Sequence, residues 1–111
     1  MDFAEHRHGA VSVVKPDGAI TEVEADQFRT HLLEGVASSM GRLVLDASDI
    51  AYVDSAGIEA LLDLSDRLAE SGRSLKLIHV NETLREVFDL VEVSSAFECY
   101  DDATAAVRSF L

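Results

Sequence analysis

Residues 42–62, RLVLDASDIAYVDSAGIEALL, constrain the fold of this chain more than any other segment. The apolar run 43–45 is typical of a central strand that is covered on both faces. After a short loop, apolar residues recur at helical spacing and predict a helix over residues 55–71. Four residues form the start of this helix: Asp54, Ser55, Ala56 and Gly57.

The predicted helix is amphipathic, which decides where its first serine points. At 100° per residue, one face collects Ile58, Leu61, Leu62, Leu64, Ser65, Leu68 and Ala69. Ser55 falls at the edge between this face and the polar one. We therefore expect its hydroxyl to be exposed, in the positive field that unpaired N–H groups create at a helix N-terminus.

Strand and helix patterns alternate through the N-terminal part of the chain. Residues 11–14 predict a first strand, residues 16–18 a Pro-Asp-Gly turn, and residues 18–20 a short second strand. Thr21 and Glu24 have the spacing of a capping box, in which two side chains satisfy the first helical N–H groups. The helix that follows is expected to end near residues 38–41 and to bury Ala25, Phe28, Leu32 and Val36.

The same alternation continues to the C-terminus. Residues 75–80 predict a strand, after which Asn81 caps a helix. That helix is expected to bury Leu84, Val87, Phe88 and Val91. Residues 97–100 predict a last strand, and a final helix from about Asp102 places on one side Ala103, Ala106, Val107 and Phe110.

These patterns predict an α/β fold: a four- to five-stranded, mostly parallel sheet with about four helices packed against it. The length of 111 residues predicts one domain over 1–111, with its core over about 9–111. The polar N-terminus is expected to be mobile. It has no signal-peptide pattern and no run approaches the roughly 18 apolar residues of a membrane span, so we expect a cytoplasmic protein.

Charge and cysteine content narrow the classes of partner. The net charge of −12 argues against nucleic acid and anionic membranes, which bind basic surfaces. It indicates either a solvated surface or a protein partner with a basic docking face. Cys99 is the only cysteine, which excludes an internal disulfide, and its place in an apparent strand predicts a buried structural thiol.

The segment LVLDASDIAYVDSAGIEALL resembles the signature of STAS domains, above all the bacterial anti-sigma-factor antagonists. The matching pieces are a strand that ends in Asp46, the D-S-x-G turn at residues 54–57 and the apolar helix from Ile58. Residues 18–21, GAIT, are similar to the family's element before the first helix. LKLIHVNETLREVFDLVEVSSAF is similar to its strand–loop–helix close.

The resemblance implies a partner switch. An unphosphorylated antagonist binds an anti-sigma factor that is usually also a serine kinase, and the kinase releases it by phosphorylating the serine that matches Ser55. A serine phosphatase resets the switch. The implied partner-binding residues are Asp54, Ser55, Ala56, Gly57 and Glu59, with Thr21 as an extension. Many members have Ser or Thr in place of Ala56 and Asp in place of Thr21.

Enzyme and ligand readings have less support in the sequence. A nucleophile elbow, G-x-S-x-G, would need glycine where Val53 stands. None of the four histidines lies in a sequence motif that would make it the catalytic base: His6, His8, His31 and His79. A receiver domain would need an acidic pair after the first strand. His6 and His8 could hold a metal ion, but a polar terminus is the simpler reading, and no phosphate-binding glycine loop occurs. We expect no enzymatic activity, no cofactor and no metal.

Simpler structural roles are also open for the site residues. Ser55 or Asp54 could serve only as the helix cap. Gly57 could be required sterically, where a strand or a partner approaches closely. The alternative function is a scaffold subunit that does not switch, within a larger assembly such as a lipid-transport or signalling complex.

Overall fold

Five strands and four helices follow one another in a computed structural model that describes residues 1–111. The strands are β1 (Asp2–His8), β2 (Val11–Asp17), β3 (Leu43–Asp46), β4 (Leu75–Ile78) and β5 (Phe97–Tyr100). The helices are α1 (Glu22–Ser39), α2 (Ser55–Ala69), α3 (Glu82–Leu90) and α4 (Ala103–Arg108), with a 3-10 turn at Ser94–Ala96.

The strands form a single sheet in chain order from β1 to β5. β1 is antiparallel to β2, and β2 to β5 are parallel to their neighbours. Each parallel pair is joined by a helical crossover, as parallel strands require. The predicted α/β class, the mostly parallel sheet and the number of helices are confirmed.

The N-terminus differs from the expectation. Residues 2–8 form β1, which pairs with β2 over seven residues, so the prediction of a mobile polar terminus is wrong. Most β1 side chains are exposed and several are charged, as is common where an edge strand must avoid pairing with other chains. Phe3 is one of its few inward contacts, with its ring stacked on His31 at 3.9 Å between centroids. The strand therefore carries little of the apolar pattern from which strands are predicted.

Helices cover the two faces of the sheet unequally. The larger core lies between the sheet and α1, α2 and α3, and contains Phe28, Leu32, Leu61 and Leu84. On the other face only α4 covers a small cluster: Val11, Val13, Val44, Ile78 and Ala106. β3 contributes to both, with Leu43 and Leu45 on one face and Val44 on the other, as its continuous apolar run predicts.

Several local predictions need correction. β2 continues through Pro16, which pairs with Phe3 of β1 and lies beyond the residues that pair with β3. Residues 18–20 form no strand, only a single bridge between Ile20 and Val53. Val91 follows the end of α3 and is exposed, because the apolar face of α3 stops at Phe88. Cys99 is exposed on the edge strand β5 and is not a buried thiol.

Candidate functional site

The site lies at the carboxyl edge of the sheet, where β2 and β3 lead into α1 and α2. Two connecting loops run side by side there. Ile20 donates its N–H to the carbonyl of Tyr52 at 3.0 Å, and Asp54 donates its N–H to the carbonyl of Ile20 at 3.3 Å. Further bonds join Gly18 to Asp49 and to Ala51. The loops therefore hold the N-termini of both helices together.

Asp54 links the two helices through one carboxylate. Its Oδ1 accepts the N–H of Gly57 at 2.9 Å, which caps α2, and its Oδ2 accepts the N–H of Glu22 at 3.0 Å, in the first turn of α1. Thr21 is the N-cap residue of α1 but its side chain makes no capping bond, so the capping box predicted for Thr21 and Glu24 is wrong. The acceptor for α1 comes from the neighbouring loop.

The electrostatics of Asp54 follow from these bonds. The N–H of Gly57 and then that of Glu22 stabilise the ionised carboxylate and hold the pKa of Asp54 below its ordinary value of 3.8, despite some desolvation. Asp54 therefore carries its negative charge at neutral pH, directly beside Ser55.

Ser55 is the first residue of α2 and its side chain is exposed, as predicted. The capping position belongs to Asp54, and the Ser55 hydroxyl forms no hydrogen bond within the chain. The reading of Ser55 as the helix cap is therefore wrong, and that of Asp54 is confirmed. The first hydrogen bond of the helical pattern runs from the N–H of Ile58 to the carbonyl of Asp54. The amides of Ser55 and Ala56 lie before this bond, at the N-terminal end of the helix.

Gly57 is buried where α2 crosses the first loop. A Cβ atom there would lie 2.3 Å from the carbonyl oxygen of Ile20, which is far inside van der Waals contact. The prediction that Gly57 is required sterically is confirmed, and the backbone that approaches it belongs to the loop before α1. Of the other predicted contact residues, Glu59 is exposed, whereas Ala56 and Thr21 are partly buried.

None of the four histidines bonds to Ser55. His31 stacks on Phe3, while His6 and His8 lie on the edge strand β1. His79 Nδ1 lies 3.2 Å from Asp46 Oδ1. Burial raises the pKa of Asp46, but hydrogen bonds from Ser48 and His79 outweigh that effect, so its pKa is below its ordinary value. No histidine is thus paired with Ser55 in the way that would activate it as a nucleophile.

No group of three or more His, Cys, Asp or Glu side chains is arranged to hold a metal ion. No helix of the chain combines the length and the apolar character that crossing a membrane requires.

Sequence reasoning missed two residues beside the site. Val23 in the first turn of α1 and Tyr52 in the second loop both expose large apolar side chains. The exposure of Val23 could have been predicted, because it stands between the acids Glu22 and Glu24 and is not on the apolar face of the helix. Tyr52 carried no signal, because its exposure depends on the pairing of the loops.

Comparison with known proteins agrees with this geometry. The family model of the STAS domain matches residues 3–106. The chain is 28% identical over 93 residues to BtrV of Bordetella bronchiseptica, named as a candidate anti-sigma factor antagonist, and the match spans 84% of this chain and 80% of BtrV.

Solved structures show the same fold at low sequence identity. A candidate anti-sigma factor antagonist from Thermotoga maritima superposes with a TM-score of 0.87 at 18% identity, over 96% of this chain and 92% of that one. The anti-sigma factor antagonist SpoIIAA in its unphosphorylated form gives 0.75 at 16% identity, over 98% and 96%. SpoIIAA of Bacillus in its phosphorylated form gives 0.69 at 16% identity, over 97% and 99%.

Proposed function

The chain belongs to the STAS domain family, and we propose that it is an anti-sigma-factor antagonist that works by partner switching. In its unphosphorylated form it binds an anti-sigma factor that is also a serine kinase. Phosphorylation of Ser55 releases it, and a serine phosphatase restores the binding form. This role places the protein in the cytoplasm.

The observation that carries the proposal is the position of Ser55. Its side chain is exposed on the first residue of α2, and its hydroxyl is free because Asp54 occupies the capping role. A kinase can therefore reach the hydroxyl without displacing a structural hydrogen bond. SpoIIAA, which shares the fold, has been solved in a phosphorylated form, which is consistent with a fold that tolerates the modification.

The domain itself should accept the phosphate. Phosphorylation adds a charge of about −1.5 to −2 and three acceptor oxygens. The amides at the start of α2 and the positive end of the helix dipole favour an anion there. The modified chain therefore keeps its fold, and the consequence falls on the partner.

Phosphorylation of Ser55 would add negative charge to a part of the surface that is already acidic. Asp54 is ionised beside Ser55, and the exposed Glu59 lies one helical turn further on. A close interface would have to desolvate a phosphate dianion next to these carboxylates, which costs binding free energy. A change of roughly 5- to 150-fold in affinity is typical of such coupling.

The chain itself contributes no catalysis in this proposal. No histidine is hydrogen-bonded to Ser55, and the neighbouring Asp54 carboxylate accepts the N–H groups of Gly57 and Glu22. The ATP and Mg²⁺ of the phosphorylation reaction belong to the kinase.

A series at Ser55 tests the proposal by calorimetric titration with the cognate anti-sigma factor at fixed salt. Ser55→Ala should bind at least as tightly as the parent, because it adds no charge. Ser55→Asp should bind more weakly, and phosphorylated Ser55 most weakly of all. Incubation with the kinase and ATP should add one phosphate, located on Ser55 by mass spectrometry.

Ser48 provides the control, since it is an exposed serine that precedes the site in the same loop. Ser48→Ala should leave both phosphorylation and affinity unchanged. Equal affinities across the Ser55 series, or phosphate on Ser48 with Ser55 untouched, would contradict the switch. A scaffold that does not switch would then be the better description.

A further inference from the structure

Two exposed apolar side chains lie on the two segments that are hydrogen-bonded together beside Ser55. Val23 on α1 is 86% exposed, and Tyr52 in the loop before α2 is 50% exposed. Val23 follows Glu22, whose N–H binds the carboxylate of Asp54. The carbonyl of Tyr52 accepts the N–H of Ile20 from the paired loop. Both residues are therefore fixed to the same hydrogen-bonded unit that holds Asp54 and Ser55.

The position of Val23 has no explanation in the packing of α1. The apolar face of this helix turns into the core through Phe28 and Leu32, which are fully buried. Valine also has a lower helix propensity than the straight-chain residues that favour an exposed helical position. An exposed valine at this position therefore adds nothing to the core, and the ring of Tyr52, which is half exposed, is not part of the core either.

The charges around these two residues are predominantly negative. The cations nearby are neutralised within the chain: Arg29 pairs with Asp26 at 2.9 Å and with Asp63 at 3.0 Å, and Lys15 pairs with Asp49 at 3.4 Å. Glu22 and Glu59 are exposed and form no ion pair. The surface thus offers two apolar groups within an acidic rim, and a complementary surface would be apolar at its centre and basic around it.

We propose that Val23 and Tyr52 are the apolar anchors of the partner interface, and that they bind a protein face with apolar pockets rimmed by lysine and arginine. The inference rests on the proposed function, since the partner is the anti-sigma factor. Val23 and Tyr52 supply affinity that does not depend on phosphorylation, whereas Ser55 supplies the switch. Tyrosine is well suited to this role because its large ring loses little conformational freedom on binding.

The test compares each anchor with an equally exposed apolar residue elsewhere on the molecule. Leu90 at the end of α3 matches Val23, with 86% of its surface exposed. Met40 follows the C-terminus of α1 and is 74% exposed, which makes it the control for Tyr52. Serine is the replacement at all four positions, because it removes the apolar group and leaves the net charge unchanged.

Titration of the cognate anti-sigma factor without ATP gives the readout. Val23→Ser and Tyr52→Ser should each raise Kd by tenfold or more, whereas Leu90→Ser and Met40→Ser should stay within twofold of the parent. Raising the salt concentration should weaken binding of the parent, since it screens the attraction between an acidic and a basic face. Anchor variants within twofold of the parent, or an affinity that salt does not lower, would overturn the proposal.

Ser55→Asp in the same titration separates this inference from the proposed function. If Ser55→Asp binds like the parent while Val23→Ser and Tyr52→Ser bind weakly, the anchors are supported and the switch fails. If Ser55→Asp binds weakly while both anchor variants bind like the parent, the switch stands and the anchors are wrong. Circular dichroism melting of each variant should match the parent, because neither anchor side chain lies in the core.

Discussion

At the scale of single residues, Asp54 explains how a short loop can present a serine reproducibly. Its carboxylate satisfies one N–H in the first turn of α2 and another at the start of α1. Such a double acceptor fixes the relative position of the two helix N-termini, because a shift of either helix breaks a charge-assisted bond. The orientation of Ser55 follows from that constraint.

The lowered pKa of Asp54 predicts a specific pH dependence of stability. Its folded pKa lies below 3.8, so its contribution is fully present above that value and is lost as pH falls through the folded pKa. Asp54→Asn, which cannot accept both N–H bonds, should be less stable than the parent at pH 7. Urea unfolding from pH 7 to pH 3 should show the two proteins converging at the acidic end.

Glu59→Gln is the control for that experiment, since Glu59 is an exposed acid on the same helix and its side chain forms no hydrogen bond. It should track the parent at every pH. A difference between Asp54→Asn and the parent that stayed constant down to pH 3 would show that the ionised carboxylate is not responsible.

Gly57 predicts a steric effect that helix propensity alone would get wrong. Alanine favours a helix over glycine by about 1 kcal/mol. At Gly57, however, the new Cβ would meet the backbone carbonyl of Ile20 at 2.3 Å, and a backbone atom can move only with its whole loop. We expect Gly57→Ala to lower the free energy of unfolding by about 1–3 kcal/mol in urea titration.

Gly35 in α1 is the matched case for this prediction. A Cβ there would meet Cδ1 of Leu43 at 2.7 Å, which is the end of a flexible side chain. Gly35→Ala should therefore stay within about 1 kcal/mol of the parent. If both alanine variants have the same stability, the close approach of the Ile20 carbonyl does not constrain α2.

At the scale of elements, α4 shows how a short helix is held on a sheet. Its six residues bury only Ala106 completely, so apolar area alone anchors it weakly. Lys76 on β4 also contacts the two residues that follow α4: its Nζ lies 2.7 Å from Ser109 Oγ and 4.4 Å from the ring centroid of Phe110. Arg73 lies over the same ring at 5.9 Å.

Two substitutions at Phe110 separate the packing of this ring from its cation–π contacts. Phe110→Leu keeps apolar volume and should cost about 0.5–1 kcal/mol of unfolding free energy. Phe110→Ala loses both contributions and should cost about 2 kcal/mol, less than for a fully buried ring. The neighbouring Leu111 is 100% exposed, so Leu111→Ala should have no effect in the same denaturation experiment. Equal stability of all three variants would mean that Phe110 does not hold α4.

At the scale of the whole molecule, the larger core stabilises the fold, and the acidic surface determines the charge that a partner would meet. The larger core packs the helices α1 and α2 firmly against the sheet, so their N-termini and the paired loops are rigidly placed. The excess of acids, 21 against 9 basic residues, makes the surface strongly negative, and under the proposed function it would favour a basic partner. Under the proposed function this placement matters, because a phosphate on Ser55 would switch binding only from a fixed position in the interface.

The sequence by itself was sufficient for the elements whose signals are local. The apolar run of β3, the amphipathic pattern of α2 and the cap at Asn81 are each written in consecutive residues, and each is found as predicted. The exposed position of Ser55 follows from the same local pattern. Ser55 is exposed because it is the first residue of α2 and lies at the edge of the apolar face of that helix.

The tertiary structure alone decided whatever depends on partners distant in the chain. β1 exists because β2 pairs with it, and Cys99 is exposed because β5 lies at the sheet edge. The acceptor for the Glu22 amide is Asp54, 32 residues away, in place of the local capping box. Hydrogen bonds and burial between distant segments form only when the fold brings them together, so no pattern of neighbouring residues encodes them.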